Sequence, residues 1–313
     1  MKNQVCKLLN IQYPIFQGAM TLVTDINLVK AVSNAGALGI YAAGIDNIDI
    51  EYLREQIRKL REATDKPFGF NIMLASKYAV QIVDLVCEEK VPVVTTGAGN
   101  PIQYMEKFKK ANILVAPVVS SKEAAIKMEA AGADLIIAEG MESGGYIGKI
   151  TTISLIPQIV DAVKIPVVAA GGIADGRGMA AAFMLGAQGI QMGTRFLATK
   201  ECAIPEKCKD ALVKASSGDA IVLGDRIGVP MRIRVLKTRT IAEINAYEGE
   251  KNAAIEKYNE AIVEARGKLY SGDPDQVLLG AGQSVGLVND KKSVQEVITD
   301  IVRQFNEIVK PLL

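Results

Sequence analysis

The 313-residue chain contains no histidine, no tryptophan and only four cysteines. Without histidine or a Cys-x-x-Cys pair, a structural zinc site is not expected, because zinc draws on thiolate and imidazole ligands. Cys6, Cys87, Cys202 and Cys208 are too scattered for a disulfide framework. They read as core or solvent-facing thiols of a reducing compartment, although Cys202 and Cys208 lie near enough in sequence to pair or to share a ligand. No apolar run is long enough to span a bilayer, and the opening MKNQVCKLLNIQYP lacks a secretory hydrophobic region. A cytoplasmic protein without membrane contact is the expectation. Charge of either sign is also not in excess: the net charge is +1, which gives no general attraction to nucleic acid.

What the chain has is glycine, 28 residues of it, among short apolar runs. The stretch from Val167 to Phe196, VVAAGGIADGRGMAAAFMLGAQGIQMGTRF, reads as two buried parallel strands flanking a helix, each strand stopping at glycine. Backbone amides at such turns, helped by the helix that follows, satisfy phosphate oxygens without a charged side chain. Similar apolar runs recur upstream in YPIFQGAM, LGIYAAG, FGFNIML, VVTTGAGNP, ILVAPVV and LIIAEG. Helical patterns separate them: Glu51 to Ala63 carries Leu53, Ile57 and Leu60 at helical spacing, Ser121 is placed to cap a helix ended by Gly132, and another begins near Ser154. Eight such units, apolar throughout and without a hairpin signal, predict an α/β protein of the TIM (β/α)8 barrel type. The pattern changes after Glu201. A charged stretch from Thr240 to Leu269, with Ala246, Ala253, Ala254, Ala261 and Ala265 among charged side chains, reads as a helical excursion packed over the barrel, and Val294 to Leu313 as a final amphipathic helix.

Strand ends supply the candidate site. Gly171, Gly172, Gly193 and Thr194 offer backbone donors and a hydroxyl in two consecutive units, where phosphate sites of such barrels form. Their plainer reading is steric relief at tight turns. Asn71, inside an apolar strand, needs a partner, either a heterocycle edge or neighbouring backbone, and Gln17 and Gln283 raise the same question. Glu139 ends an apolar strand, where it meets solvent, a cation or ligand hydroxyls, or buttresses Lys149 or Arg195. Tyr146, in the glycine-rich EGMESGGYIGK, either aims its hydroxyl at a substrate oxygen or fills the loop. A phenol with an ordinary pKa near ~10 is a credible acid or hydrogen-bond donor and a poor general base.

These segments, in this order and over nearly the whole chain, resemble the flavin-dependent barrel family that contains the nitronate monooxygenases (2-nitropropane dioxygenases) and the FMN-type enoyl-acyl-carrier-protein reductases. KPFGFNIML, TTGAGNP and the late GAGQ are most similar to the reductase branch. The resemblance implies FMN, its phosphate near Gly171, Gly172, Gly193 and Thr194, and its ring near Gly18, Ala19, Met20 and Asn71. Glu139 would contribute from the sixth strand, and Gln283 with nearby backbone would close the site. It also implies NADH or NADPH as co-substrate, a small-molecule or acyl-carrier-bound substrate from fatty acid biosynthesis, and a homodimer. On this reading residues 1–200 form the FMN-binding barrel, 201–282 a helical excursion or lid facing substrate, and 283–313 a segment returning to the barrel.

One position departs from the family. Family members carry histidine in GGHxG, whereas this chain has Tyr146 there. Oxidation of a neutral nitroalkane loses its usual base by this change, and enoyl reduction loses its usual acid or orienting group, a role a phenol can take at the thioester carbonyl. The expected function is NAD(P)H-dependent reduction of a 2-enoyl thioester with Tyr146 as the catalytic group. The alternatives are a monooxygenase acting on a ready-made nitronate and a flavin-binding protein of low activity. Arg232, Arg234 and Lys237, in DRIGVPMRIRVLKT, are read as a solvated face or as a receiver of a phosphopantetheine phosphate or an acidic carrier protein.

Overall fold

The computed structural model describes residues 3–44, 47–229, 232–247 and 255–312. Its strands in chain order are β1 (Ile15–Gln17), β2 (Leu38–Ala42), β3 (Phe68–Met73), β4 (Val93–Gly97), β5 (Leu114–Val119), β6 (Ile136–Glu139), β7 (Gly145–Tyr146), β8 (Val167–Ala170), β9 (Gly189–Met192), β10 (Ala220–Leu223) and β11 (Ile233–Leu236). Leaving aside β7, the first nine close into an eight-stranded barrel, all neighbours parallel, with β9 returning to β1 through Ile15 opposite Ile190. The TIM (β/α)8 reading is therefore correct. Strand β7 belongs instead to a separate three-stranded antiparallel sheet ordered β10-β11-β7.

Helices α1 (Gln4–Leu9), α2 (Ile26–Asn34), α3 (Ile50–Ala63), α4 (Ala79–Glu88), α5 (Met105–Lys110), α6 (Lys122–Ala130), α7 (Thr152–Val160) and α8 (Gly176–Met184) precede or connect the barrel strands. Their starts follow from local chemistry. Asp25, Asp49, Ser121 and Asp175 each sit in extended backbone and accept first-turn amides of α2, α3, α6 and α8. Beyond the barrel come α9 (Thr194–Leu197), α10 (Glu206–Lys214), α11 (Arg239–Tyr247), α12 (Ile255–Gly267) and α13 (Val294–Val309). The expected single helical stretch over Thr240 to Leu269 is described as α11 and α12, with Ala253 and Ala254 outside the described residues. The final helix ends at Val309 and passes into a 3-10 turn; Leu313 lies outside the described residues. No helix of the described residues is long and apolar enough to cross a membrane.

Side-chain alternation divides the core in two. One residue of each pair, such as Ile15, Phe70, Ile72 and Val94, packs outward under the helices in a large cluster. The other, such as Phe16, Ile40, Val93, Ile137 and Val168, fills the barrel interior with Val5 and Leu9 of α1. Helix α1 thus stoppers the end at which the strands begin, leaving the far end open to a ligand. At the close of the chain, Phe305 of α13 meets Phe183 of α8 edge-on, ring centroids 5.1 Å apart, a contact worth ~0.5–1.5 kcal/mol beyond its area. It ties the terminal helix to the helix beside the β8 turn.

All four cysteines are free, and Cys6, Cys202 and Cys208 are buried, so Cys202 and Cys208 neither pair nor face solvent. Burial pushes the Cys202 thiol up to about 11, where it is inert.

Candidate active site

Inward positions change character along each strand. Below, they are apolar; toward the strand ends they include Asn71 on β3, Thr95 on β4, Glu139 on β6 and Gln191 on β9. Pairing sets two of these groups side by side: Asn71 opposite Thr95, and Glu139 next to Ala170, which is next to Gln191. They floor a cavity of about 430 Å³, within the usual range for a small-molecule site. Asn71 Nδ2 donates to Thr95 Oγ1 at 2.9 Å, leaving its carbonyl oxygen for a ligand. Gln17 does something different. It is fully buried, donates to the Gly18 carbonyl and to Thr24, and its Oε1 accepts from Ile40 N at 3.1 Å, so it knots β1 to β2 and its side chain is spent.

Glu139 faces this cavity from deep in the barrel. Burial raises its carboxyl to about 8, and only Ser143 acts in the opposite direction. The Ser143 hydroxyl approaches without completing a hydrogen bond and has no other partner among the described residues. No cation among the described residues compensates the carboxyl. Arg195 donates instead to Asp290, at 3.1 Å to its carbonyl and 2.5 Å to its carboxylate, and Lys149 is exposed. Neither proposed buttress operates, and burial favours the uncharged form of Glu139.

Across the floor, Gly171 and Gly172 have φ of +94° and +75°, backbone that side-chain-bearing residues rarely adopt. A Cβ on Gly171 would meet Gly140 O at 2.8 Å. The turn presents bare backbone to the cavity as a shallow cradle, and its tight packing against Gly140 also calls for glycine. The helix after it contributes less than expected: Asp175 takes the Arg177 and Gly178 amides, and Gln304 Oε1 takes Gly176 N at 2.8 Å, so the first amides of α8 are occupied. Thr194 accepts from Gly282 N at 2.9 Å and keeps its own hydrogen free to donate.

Tyr146 stands on the cavity wall in β7, opposite Ile233 of β11. Two contacts fix the start of its loop: Glu142 caps α7, accepting from Thr152 N at 2.9 Å and Thr152 Oγ1 at 2.9 Å, and Glu142 O accepts from Gln283 N. Thr152 Oγ1 in turn lies 3.0 Å from Gly171 O, joining this loop to the cradle.

Of the residues singled out in sequence, Gly18, Ala19, Met20, Asn71, Glu139, Tyr146, Gly171, Gly172, Gly193 and Thr194 all line the cavity. Gln283 does not: its side chain is exposed, and only its amide engages the loop, while Ser284 faces the cavity. Gln191, Ser143 and Arg266 line it without having been anticipated. Gln191, polar within GIQMG, carries the same signal as Asn71. Two of the three supposed phosphate receivers are otherwise engaged: Arg234 is 4% exposed and bonded to carbonyls, and Arg232 pairs with Asp225 at 3.0 Å, whereas Lys237 is exposed. The excursion holding them is not purely helical, since β10 and β11 lie within it.

The family model for nitronate monooxygenase matches residues 2–304. A probable nitronate monooxygenase of Staphylococcus aureus is 33% identical, covering 99% of both chains. A hydroxy-methyl-oxo-octahydroindene-carboxyl-CoA dehydrogenase of Rhodococcus jostii is 32% identical over 96% of this chain and 95% of its own. Among solved structures, FabK from Thermotoga maritima superposes with a TM-score of 0.94 at 44% identity, covering 100% of this chain and 98% of that one.

Proposed function

The chain belongs to the nitronate monooxygenase family, and from that premise we propose that it reduces the double bond of a 2-enoyl thioester with electrons from NADH or NADPH. It is an FMN-dependent oxidoreductase. The residues suit that cofactor: the left-handed Gly171–Gly172 turn would take a phosphate against bare backbone, the unpartnered Ser143 hydroxyl would donate to an acceptor, and Asn71 and Gln191 would present amides to a ring edge. When bound, FMN supplies hydride transfer between nicotinamide and substrate carbon.

The observation that carries the reading is that Tyr146, a hydrogen-bond donor, stands on the cavity wall, while no imidazole or amine base lines the cavity among the described residues. Its titratable lining groups among the described residues are Glu139, Tyr146 and Arg266. Burial favours the protonated form of Glu139, raising its carboxyl to about 8, and a phenol and a guanidinium are donors. Removing a proton from carbon needs a base in this wall; reducing an enoyl thioester does not. There, Tyr146 donates its O–H to the thioester carbonyl oxygen, where negative charge grows as the β-carbon is reduced. Substrate class follows the likeness to FabK, an enoyl-acyl-carrier-protein reductase, at 44% identity. The nitronate monooxygenase relatives favour one alternative, oxidation of a nitronate that arrives already deprotonated.

Anaerobic stopped-flow absorbance distinguishes the two. FMN-loaded protein that is bleached rapidly by NADH or NADPH and recovers its colour with crotonyl thioester supports the reductase. Resistance to both nicotinamides, with bleaching by propionate 3-nitronate, sinks it.

A further inference from the structure

The buried guanidinium of Arg234 has no carboxylate in hydrogen-bond contact among the described residues, although burying such a charge costs several kcal/mol unless it is well paired. Its partners are main-chain oxygens. Nε and Nη2 reach Met141 O at 3.3 and 3.0 Å, and Nη1 reaches Ala220 O at 2.9 Å. Two residues earlier in the chain, Arg232 Nη2 reaches Gly148 O at 2.6 Å, with its Nη1 held by Asp225 at 3.0 Å. Met141 and Gly148 are the two ends of the loop that carries Tyr146.

The strand geometry gives the pattern a meaning. Tyr146 is opposite Ile233, so the two share a face, and both line the cavity. Arg232 and Arg234 flank Ile233 and project to the other face. The main chain adds Ile147 N to Arg232 O at 3.1 Å. Strand β11 and the residue before it therefore grip the loop at its start, middle and end, with the phenol on the cavity side and the guanidinium groups behind it. A lysine has no planar fork to bridge Met141 to Ala220.

We infer that Arg232 and Arg234 are positioning residues for Tyr146: they set the phenol over the barrel mouth, and their donors are spent on main-chain oxygens and Asp225 rather than on substrate. The catalytic half of this inference rests on the role proposed above for Tyr146; the geometric half does not.

Two readouts separate these halves. In fluorotyrosine-labelled FMN protein with nine tyrosines, the resonance of Tyr146 is assigned by its loss in Tyr146→Phe. Arg232→Gln and Arg234→Gln should shift or broaden that resonance and leave those of distant tyrosines in place. An unmoved resonance overturns the inference whatever the substrate. Arg232 is only partly buried, so its variant keeps the test open if Arg234→Gln does not fold.

For catalysis, Arg232→Gln should slow reoxidation by crotonyl thioester about tenfold, the rate equivalent of ~1.4 kcal/mol, with FMN affinity and reduction by nicotinamide unchanged. In a Tyr146→Phe background the same change should add nothing further. A full additional loss there, or a parallel loss of FMN affinity, assigns the arginines a merely structural role and overturns the inference. Tyr146→Phe reoxidised at the parent rate removes the proposed role of Tyr146 instead, with the resonance still reporting on the clamp.

Discussion

The phenol oxygen of Tyr270 donates to the backbone carbonyl of Leu22 at 2.6 Å, although the two lie 248 residues apart. One follows α12, the other lies in the loop after β1 and lines the cavity. The bond is a latch across the rim.

Tyr270→Phe removes this bond without removing the ring. A single hydrogen bond is worth ~1 kcal/mol, about a fivefold change in a local opening equilibrium. Amide hydrogen exchange over residues 20–24 should accelerate by that factor, with exchange in the barrel strands unaltered. Equal protection in parent and variant would show that Leu22 is held by other contacts.

Glu142 substitutes for a missing cap on α7, because Thr151 makes no side-chain capping bond. Glu142→Ala should cost ~1–2 kcal/mol, read as a lower thermal midpoint, and Glu142→Gln should recover part of it because an amide oxygen still accepts from Thr152. No fall in the midpoint would mean that water caps the helix equally well.

Glu139 gives the protein a pH signature of its own. Its folded pKa of about 8 lies above the ordinary 4.5. Between these values the folded protein keeps a proton that the unfolded chain has released. The stability from this group is therefore complete below about pH 4.5, declines as pH rises, and is gone above about 8. Thermal denaturation of the FMN-free protein across this window should show a steeper decline for the parent than for Glu139→Gln, which cannot titrate. Parallel curves would mean that the carboxyl ionises normally.

Gly171→Ala combines a forbidden φ of +94° with a Cβ 2.8 Å from Gly140 O. FMN affinity should fall about five- to thirtyfold through ~1–2 kcal/mol of distortion in the cradle. Gly132→Ala is the control: φ there is +95°, with nothing within 4 Å, so it should lower the thermal midpoint and leave FMN binding alone.

The barrel was legible because parallel strands covered on both faces must be apolar, and Ile15, Phe70, Ile137 and Val168 sit in short apolar runs of that kind, spaced by helical patterns. Asn71 and Glu139 were legible for the converse reason, a polar side chain where the run should continue. Gln191 carries that signal too, masked by the glycines beside it. The small sheet was hidden because β10 and β11 are four residues each and Arg234 breaks the apolar pattern of β11. Its bonds to Met141 cross 93 residues, and no local spacing encodes them. The occupied start of α8 was equally invisible, since Gln304 comes from the far end of the chain.

The seam between β1 and β9 governs how the molecule is made. Ile15 finds Ile190 only after most of the barrel has left the ribosome, on the order of ten seconds or more after Ile15 itself is synthesised. Until then β1 is an open edge able to pair with a stranger. Cells making this protein have an interval to guard, and slowing translation upstream of Gly189 lengthens it.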